Sequence, residues 1–142
     1  MNPTLVPGLE HTLRFVVPAS KTVPALYPES AEFRAMPAVL ATGFLVGLLE
    51  WVALLVAQPH LDEGEQTLGT RIDVTHEAAT PPGMVVTARA RLVRVDGRRL
   101  VFEVEADDGV DTIARGTHER AVIQRARFDA KLAGKAAKAP PT

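Results

Sequence analysis

Three side chains able to move a proton or attack a carbonyl stand out from apolar surroundings: Thr42, Glu50 and His76. Thr42 and Glu50 interrupt the longest apolar run of the chain, PAVLATGFLVGLLEWVALLVAQ from Pro37 to Gln58. His76 lies in TRIDVTHEAAT, where Ile72, Val74 and His76 alternate with Arg71, Asp73, Thr75 and Glu77. A hydroxyl, a carboxylate and an imidazole together are parts for acyl chemistry. They supply a nucleophile or donor, a charge, and a base that titrates near neutrality. A buried glutamate without a partner holds its proton to higher pH, which suits acid–base work. Plainer readings exist for each residue. Glu50 could bond a backbone group at the edge of a core, and Thr42 could bond back to a preceding helical turn. A buried histidine is more often a hydrogen-bonded core residue than a catalyst.

The elements that must position these residues follow from periodicity. Pro37 to Gln58 reads as one helix about 30 Å long. Pro37 suits its first position, and Pro59 ends it by pushing Gln58 out of the helical region. Leu40, Phe44, Leu45, Val46, Leu48, Leu49, Trp51, Val52, Leu54 and Leu55 leave almost no polar face, so protein should wrap the helix on most sides. Gly43 and Gly47 share a surface with Glu50, and glycine inside a helix implies close approach by something else. The length would allow a membrane span. A mid-span carboxylate disfavours insertion by about 2.5–3.5 kcal/mol, and no Lys/Arg cluster flanks the run, so the helix is read as a core helix.

His11 to Val17 reads as a strand, followed by an irregular, proline-broken stretch to Met36 with Val23, Leu26, Tyr27 and Phe33. Such a loop is a lid or a cover for one end of the core. After the helix, His60 to Gly69 is a polar connection and Thr70 to Thr80 a strand with His76 on its inner face. Met84 to Val95 and Arg98 to Ala106 are strands joined at Asp96-Gly97, and Val110 to Phe128 is a last long strand. The α+β order predicts one antiparallel sheet curled around one helix, with open edges that pairing in a homodimer would close. Residues 1–128 form a single domain, and 129–142 a frayed or disordered tail. Sixteen basic against seventeen acidic residues leave no footprint for nucleic acid. The absence of cysteine excludes thiolate metal sites and a cysteine nucleophile. No metal, cofactor or membrane is expected. The N-terminus lacks a basic n-region and an apolar h-region, so the expectation is a cytoplasmic protein.

That order is the hot-dog fold's. TVPALYPESAEF at 22–33, ATGFLVGLLEW at 41–51, LGTRIDVTHEAATPPG at 68–83 and GTHERAVI at 116–123 closely resemble the fluoroacetyl-CoA thioesterase family. The likeness covers roughly residues 12–128. It implies a catalytic set of Thr42, Glu50 and His76, the same three residues the pattern isolates. It also implies acyl-pocket contacts from Gly69 and Arg120, and apolar lid positions at Val23, Leu26 and Phe33. Met36 stands where the family's fluoroacetyl-selective member carries an aromatic residue. Methionine fills space but is flexible. The resemblance therefore supports hydrolysis of short acyl-CoA thioesters more firmly than strict choice of fluoroacetyl over acetyl.

Several routes are open to these residues. His76 acts as general acid–base, and Glu50 either orients it or attacks the carbonyl to form an anhydride. Thr42 donates a hydrogen bond or is itself the nucleophile. An α-fluorinated substrate would also let His76 remove an α-proton first. Arg120 has a second reading, a structural ion pair with Glu119 or another neighbour. A non-catalytic acyl-CoA binder and a hot-dog enoyl-CoA hydratase are the rival functions. Coenzyme A enters only as part of the substrate.

Overall fold

The structure, a computed structural model, describes residues 1–142. Five strands, β1 (Glu10–Val16), β2 (Glu65–Val74), β3 (Val85–Asp96), β4 (Arg99–Asp107) and β5 (Thr112–Gln124), form one antiparallel sheet in the order β1-β3-β4-β5-β2. Alternation is cleanest on β3 and β4. Val86, Ala88, Ala90 and Leu92 face inward beside Leu100, Phe102, Val104 and Ala106. The intervening charges face outward, where Arg89 meets Glu105 and Arg91 meets Glu103, each at 3.4 Å. Period-two patterning thus separates an apolar face from a charged one. Gly97, with φ +60°, opens the β3–β4 turn, and Asp96 pairs with Arg99. The two-residue loop is therefore Gly97-Arg98, one residue later than expected, because glycine takes the left-handed position without strain.

Helix α3 (Thr42–Ala57) lies on the inner face, burying Leu45, Leu48, Leu49, Val52, Ala53, Val56 and Ala57. It begins five residues after Pro37, because the backbone before it is committed elsewhere. Val39 accepts from the Val23 N–H, Leu40 donates to the Thr80 carbonyl, and Ala41 donates to the Lys21 carbonyl. A β-bridge between Thr22 and Leu40 holds this segment extended. The expectation of a helix covered on most sides also needs correction. Gly43, Gly47 and Trp51 are exposed in the single chain. Thr42–His60, the helix and its closing turn, is long and apolar enough to cross a membrane, yet here its inner face packs on the sheet.

The lid segment contains two four-residue helices, α1 (Val23–Leu26) and α2 (Ala31–Arg34). Leu26 occupies the space a Cβ on Gly43 would need, 3.2 Å away, so the helix glycine admits the lid. Gly47 has nothing within 4 Å of such a Cβ. β5 stops at Gln124 rather than Phe128, and α4 (Arg125–Ala137) takes over. Arg125 donates its N–H to Gly64 and its guanidinium to Asp129 one turn on, which turns the chain into helix. The tail expected to fray is thus helical as far as Ala137, with every residue of 138–142 exposed.

One buried carboxylate ties the parts together. Asp108 accepts from the Thr80 hydroxyl at 2.8 Å and from the N–H groups of Val110 and Asp111. Burial alone would raise its pKa, but these donors outweigh it and hold the carboxyl below its ordinary value. Since Thr80 also anchors Leu40, the β4–β5 turn is fastened to the chain entering α3 and to the loop following β2.

Candidate active site

Thr42 is the first helical residue of α3, so no preceding turn exists for its hydroxyl to bond back to. The hydroxyl meets His76 Nδ1 at 2.7 Å instead. His76 lies two residues beyond the end of β2, not on the strand as expected. The flanking residues hold the loop beside β5: the Thr75 N–H donates to Arg115 and the Glu77 N–H to Ile113. The inner face assigned to Ile72, Val74 and His76 is only partly right. Val74 and His76 are half-buried, but Ile72 is exposed on an edge strand whose register shifts between Gly69 and Arg71.

His76 Nε2 is shut off from solvent and has no hydrogen-bond partner. A buried polar atom left unpaired is unfavourable and points to a role. Burial pushes the imidazole below its ordinary pKa, against a smaller upward pull from the Ala78 carbonyl. At neutral pH the ring is therefore uncharged. With Nδ1 bare, Thr42 donates to it and Nε2–H is an acid. With Nδ1 protonated, Thr42 accepts and Nε2 is a base.

Glu50 does not join this pair. Eight residues at helical rise put it about 12 Å along the axis from Thr42, and its carboxylate accepts from Arg120 Nη1 at 3.1 Å. Arg120 is buried among further acceptors. Its Nε–H goes to the Thr67 hydroxyl, Nη2–H to the Thr67 carbonyl, and Nη1–H also to His118 Nε2 at 3.1 Å. Of the two readings of Arg120, the ion-pair one has Glu50 as partner; Glu119 pairs with Arg99 on the outer face. Burial lowers the Arg120 pKa and Glu50 opposes that shift.

Gly69, opposite Arg120 in the ladder, makes this convergence possible. A Cβ there would stand 2.5 Å from Glu50 Oε1, 3.3 Å from the His118 ring and 3.4 Å from Arg120 Nη1. The lid positions are mixed in exposure. Val23, Leu26 and Phe33 are half-buried, with Phe33 against the Tyr27 ring at 5.5 Å, and Met36 is exposed. His118 and Thr67 were missed from sequence. Counting back by twos from buried Val122 would have found Arg120 and His118 on the inner face, but polar residues on both faces of GTHER masked the alternation.

No group of three or more His, Cys, Asp or Glu side chains is disposed to hold a metal ion. None of the three principal cavities is lined by Thr42, Glu50 or His76. The largest, about 560 Å³, is a depression on the outer face among the Arg89 and Arg91 ion pairs.

The chain as a whole is similar to known proteins. The profile of the fluoroacetyl-CoA-specific thioesterase family matches residues 24–126. The fluoroacetyl-CoA thioesterase of Streptantibioticus cattleyicolor is 57% identical over 125 residues, covering 88% of this chain and 90% of that protein. A solved structure of a fluoroacetyl-CoA thioesterase superposes with a TM-score of 0.90 at 55% identity, covering 92% of this chain and 96% of the other. A variant of such an enzyme bound to fluoroacetate and CoA gives 0.85 at 56% identity, over 87% and 98%. A thioesterase superfamily member from Thermus thermophilus gives 0.85 at 27% identity, over 96% of both chains.

Proposed function

Because the chain belongs to the fluoroacetyl-CoA-specific thioesterase family, we propose that it hydrolyses short acyl-CoA thioesters to the free acid and CoA. The observation that carries this reading is the Thr42–His76 bond with Nε2 left over, buried and unpaired. Thr42 orients the ring through Nδ1. Nε2 then takes a proton from water attacking the thioester carbonyl, and the same proton later goes to the departing CoA sulfur. Burial keeps the imidazole neutral, so it can start as a base at physiological pH. A Glu50 carboxylate brought beside His76 would favour the imidazolium formed midway, and Gly69 with the lid residues Val23, Leu26, Phe33 and Met36 bounds the acyl group. Arg120 supports Glu50 first, and any contact with the acyl substituent uses its remaining N–H.

Glu50 reaches the Thr42–His76 pair only if a second chain supplies it. β2 is an edge strand with exposed Leu68 and Ile72. Joining β2 to its copy by a two-fold axis would set the two α3 helices antiparallel, bringing Glu50 of one chain toward the Thr42–His76 pair of the other. Each site in such a homodimer is shared.

Thiol release from acetyl-, fluoroacetyl-, propionyl- and crotonyl-CoA tests the activity, with product analysis on crotonyl-CoA to reveal hydration. Saturable turnover of the saturated acyl-CoAs is expected. Binding without thiol release would leave an acyl-CoA-binding protein, and hydrated product a hydratase. Mixing Glu50→Ala and His76→Ala proteins tests the sharing: random exchange should restore about a quarter of wild-type activity, since half the dimers carry one intact site. Sites confined to single chains would restore none.

A further inference from the structure

His118 contacts neither Thr42 nor His76, yet its proton arrangement is fully determined by its neighbours. Its Nδ1 lies 2.7 Å from the Arg71 carbonyl, which can only accept, so Nδ1 carries the proton. Its Nε2 lies 3.1 Å from Arg120 Nη1, which can only donate, so Nε2 is bare. The ring is thus neutral, in one tautomer, and 2% exposed, stacked beside Phe102 with centroids 6.3 Å apart.

The charged, carbonyl and aromatic groups around this ring can be named. Arg120 lies on its own strand, Glu50 comes from α3, Arg71 offers its carbonyl from β2, Glu119 is the adjacent residue, and Phe102 closes the β4 side. Among these, Arg120 is the residue hydrogen-bonded both to the ring and to Glu50. Four of the five N–H groups of Arg120 are directed at protein acceptors: two to Thr67, one to His118 and one to Glu50. The two Nη1 hydrogens are divided between His118 and Glu50. A planar guanidinium has no freedom to turn one N–H while keeping the others. Taking away the acceptor at His118 leaves one Nη1 hydrogen buried and unpaired beside Glu50, so the Nη1 end of the group that holds Glu50 must shift to find another partner.

We propose that His118 is a positioning residue, which orients Arg120 through Nε2 and so holds the Glu50 carboxylate in place for thioester hydrolysis. The assignment rests on the thioesterase reading for its functional part, and on geometry alone for the ordering of Arg120. A protonated His118 would carry two donors, leaving Arg120 Nη1 opposite an N–H. Burial, more than any other cause, keeps the ring uncharged.

The test compares His118→Phe, which keeps a flat ring beside Phe102 but loses the acceptor, with His118→Gln, whose amide oxygen can replace Nε2. In the wild-type background His118→Phe should lower kcat about 10- to 100-fold with KM nearly unchanged, the scale of misplaced catalytic groups. His118→Gln should restore most of that loss. In a Glu50→Gln background His118→Phe should cause no further loss, because its effect runs through Glu50. Losses that multiply across the two positions, or an unimpaired His118→Phe, would overturn the proposal. A readout independent of turnover is the ¹⁵N spectrum of arginine side chains. The Arg120 Nη1–H signals should be slowly exchanging in wild type and His118→Gln and lost in His118→Phe. If wild type releases no thiol, the thioesterase reading fails, while these signals still decide whether His118 orders Arg120. Their persistence in His118→Phe would refute that.

Discussion

Helix α3 carries its two polar side chains into opposite circumstances. At its first turn Thr42 meets one ring nitrogen of His76, and the other nitrogen is left buried and unpaired. Two turns on, Glu50 meets an arginine whose donors are almost all taken up, by Thr67, His118 and Glu50 itself. One pole is short of a partner and the other is nearly saturated. On the proposed mechanism, the difference separates reactivity from support. An atom poised to exchange a proton must not already be bonded, whereas a carboxylate meant to stay put and stay charged needs fixed donors. The outer sheet shows that ion pairing as such is not the point. Arg89–Glu105 and Arg91–Glu103 use the same residue types, but all four side chains are more than half exposed and contribute little.

If the poles differ in this way, breaking them should have different consequences. The largest effect belongs to the unsaturated one. His76→Ala or Thr42→Ala should depress kcat/KM on short acyl-CoAs by about 100-fold or more, with melting temperature little changed. Near-wild-type rates in both would remove the assignment. At the saturated pole Arg120→Met should lose activity and also stability, by about 2–3 kcal/mol in urea titration. That is short of the figure for a fully buried pair, because Glu50 is 41% exposed. An Arg120→Met protein as stable as wild type would mean that the cluster is not a support.

Stability against pH sharpens the comparison further. His76 and His118 both have folded pKa values below the ordinary imidazole value, chiefly through burial. The unfolded chain therefore binds more protons below about pH 6.5, and stability should fall as pH drops from there toward the folded values. The slope is at most about 1.4 kcal/mol per pH unit for each ring. His118→Gln should flatten the decline, as followed by thermal melts between pH 5 and 8, and a decline of unchanged steepness would place its origin elsewhere. The smallest effect concerns the lid over the first turn of α3. Met36→Phe should raise the fluoroacetyl-to-acetyl ratio of kcat/KM several-fold, by about 1 kcal/mol of added stiff contact. An unchanged ratio would locate selectivity away from that position.

Much of this was legible in the chain itself. Clean alternation in Leu100, Phe102, Val104 and Ala106 marked the inner face of the sheet. The run ending at Gln58 marked the helix, and two polar residues within it marked the candidate chemistry. Legibility failed where a residue's fate depended on partners distant in sequence. The start of α3 was displaced from Pro37 because Lys21, Val23 and Thr80 claim the backbone of 39–41. His118 went unnoticed because GTHER offers polar residues to both faces, and only neighbouring strands say which face is inside.

Sequence alone therefore determined which side chains could act and, for Thr42 and Glu50, which element carries them, since periodicity and local backbone preference are short-range properties. Tertiary structure decided the pairings. Thr42 went to His76, Glu50 to Arg120, and Arg120 to Thr67 and His118. Those choices depend on strand order, on the register that sets Gly69 opposite Arg120, and on the missing Cβ that lets three charged or polar groups meet there. Directional hydrogen bonds in a closed interior are settled by three-dimensional proximity, and no local pattern encodes that.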